Sequence, residues 1–314
     1  MFVILPTSWF EHPFLTGKFI IKSQDQIDKI IQCGFTEVFI DTQKGTGHAT
    51  SGPKNRANEI IIPPQKWEPE TLIPLELSEA IRDTSLSSEK KSQIVYISSL
   101  QIMERLLEDP SVENIKASKQ GIAEIVDVIM WDDAICNHLL KITSHDYNTY
   151  THSVNVGVLS ILLAKALLKG SDDHDLHELG AGFFLHDIGK VRIDLSILNK
   201  PGQLTEDELH IIQAHPRHGY NLLSETNQLS NECNIIVMQH HEKDNGKGYP
   251  YGLKGDEIHL YAQICRLADV YDSLTSERSY RRRLSTFDAL KLMKEELSDN
   301  FHKLLFEKFV VLFS

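Results

Sequence analysis

Residues 185–193 have the sequence LHDIGKVRI, in which a histidine and an aspartate, His186 and Asp187, stand side by side. The surrounding segments at 98–109, 121–142 and 152–168 carry apolar residues at helical spacing, and strand patterns largely end after about residue 78. The sequence therefore predicts a mainly α protein, in which the histidine and aspartate lie within a bundle of roughly six or more helices.

The first part of the chain has a different pattern. The short runs FVIL, KFII and TEVFIDT predict strands, and DQIDKIIQCG predicts a helix that ends at Gly34. Glycine and proline are dense over residues 42–74, which favours a linker. We expect a small α+β domain with a regulatory or interaction role before the helical part. The expected divisions are residues 1–75 for this domain and its linker, 76–118 for connecting helices and 119–314 for the helical domain.

The composition excludes several classes of protein. With 314 residues, 41% of them hydrophobic and 24% charged, the chain is typical of a folded protein of about two domains. Its 32 basic and 44 acidic residues give a net charge of -12, which disfavours binding to a nucleic-acid polymer.

Location is predicted from the apolar segments and the cysteines. The stretch Val156–Leu168 is shorter than the roughly 20 residues that cross a bilayer. The N-terminus MFVILPTSW lacks a basic region and meets Pro6 early, so neither a membrane span nor a secretory signal is expected. Four scattered cysteines, Cys33, Cys136, Cys233 and Cys265, fit reduced thiols in the cytoplasm.

The histidines are the first indication of function, because 12 of 15 lie between His138 and His259. A single histidine on an amphipathic helix most often has a structural role, and this interpretation is kept for His174, His177, His210, His218 and His259. The candidate metal ligands are His152, His186, Asp187, His215, His240, His241 and Asp269.

The adjacent pairs His186-Asp187 and His240-His241 suggest how these ligands divide. Neighbouring side chains on a helix point about 100° apart. An adjacent pair therefore suits two metals side by side, with Asp187 as a possible bridge. Imidazoles and carboxylates favour Fe, Mn or similar ions over zinc bound by thiolates.

Six segments carry a family resemblance. They are HSVNV at 152, LHDIGKVRI at 185, ILNKPGQLTEDE at 197, AHPRHGY at 214, HHEKDNGKGYP at 240 and ADVYDSLTSERSYR at 268. In this order and spacing, over about residues 142–314, the chain resembles the HD-GYP family of bacterial phosphodiesterases that hydrolyse cyclic di-GMP. The N-terminal region is similar to a small domain that often precedes them. The resemblance implies an all-helical HD-superfamily bundle.

The resemblance also implies a division of the metal ligands. One site would comprise His152, His186, Asp187 and Asp269, and the other Asp187, His215, His240 and His241. Family members with a third metal use a glutamate at the position of Asn148, so two divalent ions, Fe(II) or Mn(II), are expected here.

Other motif positions imply substrate contacts. Lys190 matches the lysine of the HDxxK motif, which would bind phosphate or assist the leaving oxygen. Arg278 and Arg281 match positions that face the phosphates, and Tyr249 lies in the GYP loop that shapes the pocket. For Asp272, orientation of a ligand histidine and a helix-capping or surface role are both open.

The expected reaction is attack on phosphorus by a hydroxide that bridges the two metals, which opens cyclic di-GMP to linear pGpG, with GMP as a further product. Two positions depart from the family pattern, Asp244 where an aromatic residue is common and Asn245 where an aspartate is common. Because of these two departures, two alternatives to cyclic di-GMP hydrolysis stay open. The substrate would be cyclic GMP-AMP, or the protein would be a cyclic dinucleotide sensor of low activity. The two departures also affect the expectation that the GYP loop docks a signalling protein.

Two further points stay open from the sequence. A phosphohydrolase of the same superfamily that acts on nucleoside triphosphates or alarmones is a weaker alternative, because the His240-His241 pair and the GYP motif argue against it. The oligomeric state is open, with a dimer as one option.

Overall fold

The computed structural model describes residues 2–4, 18–21, 27, 38–41, 72–142, 149–168, 173–198, 200, 202–276 and 283–313. By its internal contacts the chain divides into two units, Met1–Pro63 and Pro64–Ser314.

The first unit contains a small antiparallel sheet. Its strands are β1 (Phe2–Ile4), β2 (Lys18–Ile20) and β3 (Phe39–Asp41), in the order β2-β1-β3. Val3 in the central strand pairs with Phe19 on one side and with Ile40 on the other. The strands fall within the three predicted strand segments. The predicted helix, apart from Ile27, and most of the predicted linker lie outside the described residues, so the α+β assignment stays a prediction.

The described residues of the second unit form helices joined by turns and loops, which confirms the mainly α class and the helical bundle. Its helices are α1 (Leu75–Arg82), α2 (Ser88–Glu108), α3 (Val112–Trp131), α4 (Asp133–Ile142), α5 (Thr149–Leu168), α6 (Leu176–Phe184), α7 (Leu195–Leu198), α8 (Glu206–Gln213), α9 (His215–Thr226), α10 (Asn231–Gln239), α11 (Leu260–Thr275), α12 (Thr286–Glu296) and α13 (Lys303–Val311). Short 3-10 turns occupy Ile188–Arg192, Gly255–Glu257 and Ser298–Asn300.

Several helices begin at polar N-caps, among them Ser87, Ser111 and Thr205. At the start of α8 the Thr205 hydroxyl accepts a hydrogen bond from the Glu208 amide at 3.2 Å, and the Glu208 carboxylate accepts one from the Thr205 amide at 2.7 Å. This reciprocal pair satisfies two amides that would otherwise lack partners. The capping box fixes where α8 begins, and α8 leads directly to His215.

Helix α5 forms the centre of the bundle. It is long and apolar enough to cross a membrane, but 78% of its most apolar 18-residue window is buried inside the structure. It packs against α6 and α11, and Val154, Val158 and Leu163 are buried on it. Burial of this kind is typical of the core helix of a globular domain.

The α5–α6 contact depends on a small residue. A methyl group at Gly157 would overlap the ring of the fully buried Phe184. We expect Gly157→Ala to lower the free energy of unfolding by about 1–3 kcal/mol, because overpacking a dense core costs that much. Urea denaturation measures the change.

A compensating variant makes this prediction specific. Phe184→Ala removes the three ring atoms that the new methyl would strike. The double variant should therefore be less destabilised than the sum of the two single variants. Simple additivity would contradict the proposed contact.

Candidate metal centre

The structure brings all seven predicted ligand residues to one place, although they come from five segments of the chain. His152 lies on α5, His186 and Asp187 follow α6, and His215 begins α9. His240 and His241 follow α10, and Asp269 lies on α11. Two groups have ligand atoms within 4.8 Å of one another: Asp187, His215, His240 and His241 form one, and His152, His186 and Asp187 form the other.

Asp187 lies between the two groups and is only 1% exposed. Its Oδ2 lies 3.4 Å from His152 Nε2 and 3.6 Å from His186 Nε2. Its Oδ1 lies 3.1 Å from His215 Nε2 and 3.8 Å from His240 Nε2. Each carboxylate oxygen therefore faces a different group, which is the arrangement that a bridging ligand requires.

Asp269 also spans both groups. Its Oδ1 lies 3.2 Å from His152 Nε2, and its Oδ2 lies 3.5 Å from His241 Nδ1. The family resemblance assigns Asp269 to the site of His152, and the structure places its second oxygen beside a residue of the other group.

Three histidine rings are oriented by the same device. His186, His215 and His240 each have Nδ1 within hydrogen-bonding distance of the main-chain carbonyl three residues earlier, at 2.8, 2.7 and 2.8 Å respectively. When Nδ1–H donates to that carbonyl, the neutral ring carries its lone pair on Nε2. All three Nε2 atoms lie in the interior of the cluster.

His152 is oriented by a carboxylate instead. Its Nδ1 lies 2.7 Å from Asp272 Oδ2, and the other oxygen of Asp272 accepts a hydrogen bond from Asn155 at 2.7 Å. Tyr96 in turn donates to Asn155 at 2.7 Å. For Asp272 the structure supports the orienting role over a surface role, since the residue is 3% exposed. Asn155, which holds Asp272 in place, follows His152 by three residues on the same helix. This helical spacing was the sequence signal by which Asn155 could have been found.

The donor set fits divalent cations. His186 Nε2 is buried and has no hydrogen-bond partner within the described part of the chain. His215 Nε2 and His240 Nε2 lie 3.2 Å apart. Two lone pairs that face each other at this distance repel, and a shared cation would remove the repulsion. The imidazoles and carboxylates suit borderline or hard metals.

The electrostatic environment keeps the residues in forms that can bind metal. Burial lowers the pKa of His186 to about 3, and burial also lowers the pKa of His215 and His241. Burial alone would raise the pKa of Asp187, but Lys190 and His186 hold it well below its usual value. These three imidazoles are therefore neutral and Asp187 is ionised near pH 7, as metal binding requires.

Lys190 lies beside the Asp187 carboxylate in the same short turn. Its Nζ is 2.5 Å from Asp187 Oδ2, and its side chain is 14% exposed. In the same turn, a Cβ at Gly189 would overlap the carbonyl oxygen of His215 and the amide nitrogen of Gly219. Only glycine permits this main-chain contact, which places Asp187 and Lys190 next to the start of α9.

The GYP loop, residues 242–254, covers one side of the cluster. The Tyr249 ring stacks on His241 at 4.6 Å between ring centres and 30° between planes. Glu242 is fully buried and accepts hydrogen bonds from the amides of Tyr251 and Leu253 at 2.7 and 2.9 Å. Sequence reasoning missed Glu242, whose place directly after the two histidines was the available signal.

Some predicted residues lie elsewhere or outside the described part of the chain. Arg278, Arg281 and Asn148 lie outside the described residues, so their expected roles stay predictions. Of the histidines given a structural interpretation, His174 Nδ1 lies 2.5 Å from the Tyr261 hydroxyl. This pair lies apart from the two groups of candidate ligands.

Comparison with known proteins decides the family. A family model described as an HD domain matches residues 133–302, and one described as a domain of unknown function (DUF3391) matches residues 1–117. A Pseudomonas aeruginosa protein named as a cyclic di-GMP phosphodiesterase is 30% identical over 305 residues, which cover 96% of this chain and 71% of that protein. The chain belongs to the HD-GYP family of HD-domain proteins.

Two further likenesses extend the comparison. The HD-GYP chain is 38% identical over 149 residues to a Vibrio cholerae protein named as a 3'3'-cGAMP-specific phosphodiesterase, covering 48% of this chain and 32% of the relative. A solved HD-GYP-type structure from Bdellovibrio bacteriovorus aligns with a TM-score of 0.65 at 22% identity, over 76% of this chain and 77% of that one. The likeness to the Bdellovibrio bacteriovorus structure shows a shared fold.

The buried histidines predict how stability depends on pH in the metal-free protein. His186 has a pKa of about 3 when folded and an ordinary value of 6.5. Between these values the unfolded chain binds a proton that the folded chain does not, so the free energy of unfolding falls as the pH drops below 6.5. This group alone contributes a slope of about 1 kcal/mol per pH unit.

Urea denaturation in the presence of a chelator measures this slope between about pH 7 and about pH 5. His186→Gln serves as the matched variant, since its side chain does not titrate in this range. Its slope should be shallower. Equal slopes for the two proteins would show that His186 does not account for the acid sensitivity.

Proposed function

We propose that this HD-GYP protein hydrolyses cyclic di-GMP at the His/Asp cluster with two bound divalent metal ions. The products would be linear pGpG and, after a second cut, GMP. The observation that carries the proposal is the placement of Asp187, whose two oxygens face two separate groups of imidazoles. The name of the Pseudomonas aeruginosa relative supports the choice of substrate.

The proposed ligands are the seven residues of the cluster. His152, His186, Asp187 and Asp269 would hold one ion, and Asp187, His215, His240 and His241 the other. We propose Fe(II) or Mn(II), because the donors are nitrogen and oxygen. The buried cysteines Cys233 and Cys265 are free, and burial raises the pKa of both thiols, so they would remain protonated.

The protein's own residues would hold and orient the substrate. When bound, the two ions would offset charge on the phosphoryl oxygens and lower the pKa of a water molecule. The ammonium of Lys190, beside Asp187, would bind a phosphoryl oxygen or stabilise the departing ribose oxygen. Arg278 and Arg281 are proposed to bind phosphate, and Tyr249 to form a wall of the pocket over His241.

A direct assay tests this function. The protein is purified anaerobically and loaded with Fe(II) or Mn(II), and the conversion of cyclic di-GMP is followed by chromatography. Asp187→Ala should lose metal binding and hydrolysis together, because the proposed bridge is removed. Asp127→Ala is the matched control, since Asp127 is exposed and pairs with His177 away from the cluster. It should retain both properties.

The same assay separates the alternatives. Hydrolysis of cyclic GMP-AMP but not of cyclic di-GMP would select the second candidate substrate, which the Vibrio cholerae relative and the altered residue Asp244 favour. Tight binding of cyclic di-GMP without hydrolysis in a metal-loaded sample would select a sensor. Hydrolysis that persists in Asp187→Ala would refute the proposed site.

The carboxylate that orients His152 gives a second prediction. Asp272→Asn keeps the shape of the side chain but weakens its hold on His152 Nδ1. Metal affinity should fall about 10–100-fold, as it does when such outer partners are removed. Competition with a chelating dye measures the affinity, and Asp127→Asn provides the control. Unchanged affinity in Asp272→Asn would contradict the orienting role.

The remaining assignments also belong to this proposal. They are a cytoplasmic location, a regulatory role for residues 1–75, connecting helices at 76–118, a catalytic domain at 119–314, a signalling partner that docks on the GYP loop, and a dimer as one option for the assembly. Two metals rather than three are proposed because Asn148 replaces the glutamate of three-metal relatives.

A further inference from the structure

Arg266 is a buried cation that the sequence motifs do not include. It lies on α11, one helical turn before Asp269, and is only 7% exposed. Its Nε has no hydrogen-bond partner within the described residues. The guanidinium carbon lies 5.7 Å from the centre of the Phe301 ring, a cation–π arrangement that is strongest away from water.

The segment that contains Phe301 also holds the GYP loop. Asn245 Nδ2 donates a hydrogen bond of 2.9 Å to Asn300 Oδ1, and the Asp244 amide donates one of 3.4 Å to the Asn300 carbonyl. Asp244 and Asn245 are the two positions that depart from the common family pattern. In this chain they fasten the loop to the C-terminal turn Ser298–Asn300.

Negative groups of the loop and of the cluster lie close to Arg266. Burial lowers its pKa, while Asp269, Asp244 and Glu242 act in the opposite direction. Glu242 is the fully buried carboxylate that accepts the loop amides of Tyr251 and Leu253. A buried carboxylate of this kind is costly without a nearby positive charge, and Arg266 supplies one.

We propose that Arg266 is a positioning residue that clamps the GYP loop over the His/Asp cluster, with Asn300 and Phe301 as the opposite side of the clamp. Arg266 acts through the loop on Tyr249, whose ring stacks on His241 and whose amide donates to the His241 carbonyl at 3.3 Å. The effect of the clamp on catalysis rests on the proposed function, whereas its effect on the loop does not.

Limited trypsin digestion tests the clamp without any catalytic assay. Lys247 is exposed in the loop, so the rate of cleavage after Lys247, followed by mass spectrometry, reports how often the loop opens. Arg266→Met, which removes the charge and keeps the length of the stem, should be cleaved about tenfold faster than the wild type. Arg266→Lys, which keeps the charge, should restore most of the protection.

A matched control separates the clamp from general loosening. Arg217 is exposed and lies 5.8 Å from the centre of the Tyr251 ring in the same loop. Arg217→Met should leave the cleavage rate near that of the wild type, because an exposed cation–π contact contributes little. Equal acceleration in Arg217→Met and Arg266→Met would overturn the proposal, as would unchanged cleavage in Arg266→Met.

A second variant covers the case in which Arg266→Met does not fold. Phe301→Leu keeps an apolar side chain but removes the ring face under the guanidinium. It should also be cleaved faster after Lys247, and a rate equal to that of the wild type would refute the clamp.

Steady-state kinetics add the catalytic consequence. With the metal content unchanged, Arg266→Met should raise the KM for cyclic di-GMP about tenfold and lower kcat less, because the loop wall is displaced while the ligands remain. If the wild-type protein hydrolyses no cyclic dinucleotide, the proposed function fails, and the digestion result still decides the clamp. If Arg266→Met is cleaved faster but its KM for cyclic di-GMP is unchanged, Arg266 holds the loop without affecting substrate binding. That result would overturn its role as a positioning residue.

Discussion

The burial of Asp187 among imidazoles is the constraint on which the rest of this structure depends. The carboxylate is 1% exposed and has histidine nitrogens on both sides. A charge in such a place is costly unless cations or strong donors surround it. Lys190 supplies one such cation, whereas the imidazole lone pairs that the separate chain segments bring to this point supply neither cations nor donors. The same arrangement that makes the metal-free site costly makes it well suited to bind positive ions.

The C-terminal ends of two helices fix the orientation of two histidine rings in the cluster. His186 and His240 lie just beyond α6 and α10, where the last carbonyls of a helix have no partner within it. Each ring uses one of these carbonyls, so one hydrogen bond satisfies an orphan acceptor and fixes an imidazole. The ring of His152, in the first turn of α5, is oriented by Asp272 instead.

Local sequence was sufficient for the helical class and for the seven residues of the cluster. Each of these depends on spacing within a short segment or on a familiar motif. The contacts that fix the loop were not accessible in this way. Asn245 and Asn300 are 55 residues apart, and nothing near Arg266 in the sequence indicates that Phe301 lies beneath it. Tertiary neighbours of this kind are not encoded in local patterns.

The position of α6 and α10 has an electrostatic consequence beyond hydrogen bonding. Both helices end at the cluster, so both direct the negative ends of their macrodipoles toward it. Each end is equivalent to about half an elementary charge of negative sign. Together they add a field that favours cations at the centre, which the positive end of α9, beginning at His215, offsets in part. The backbone itself therefore contributes to cation affinity, independently of any side chain that mutation can remove.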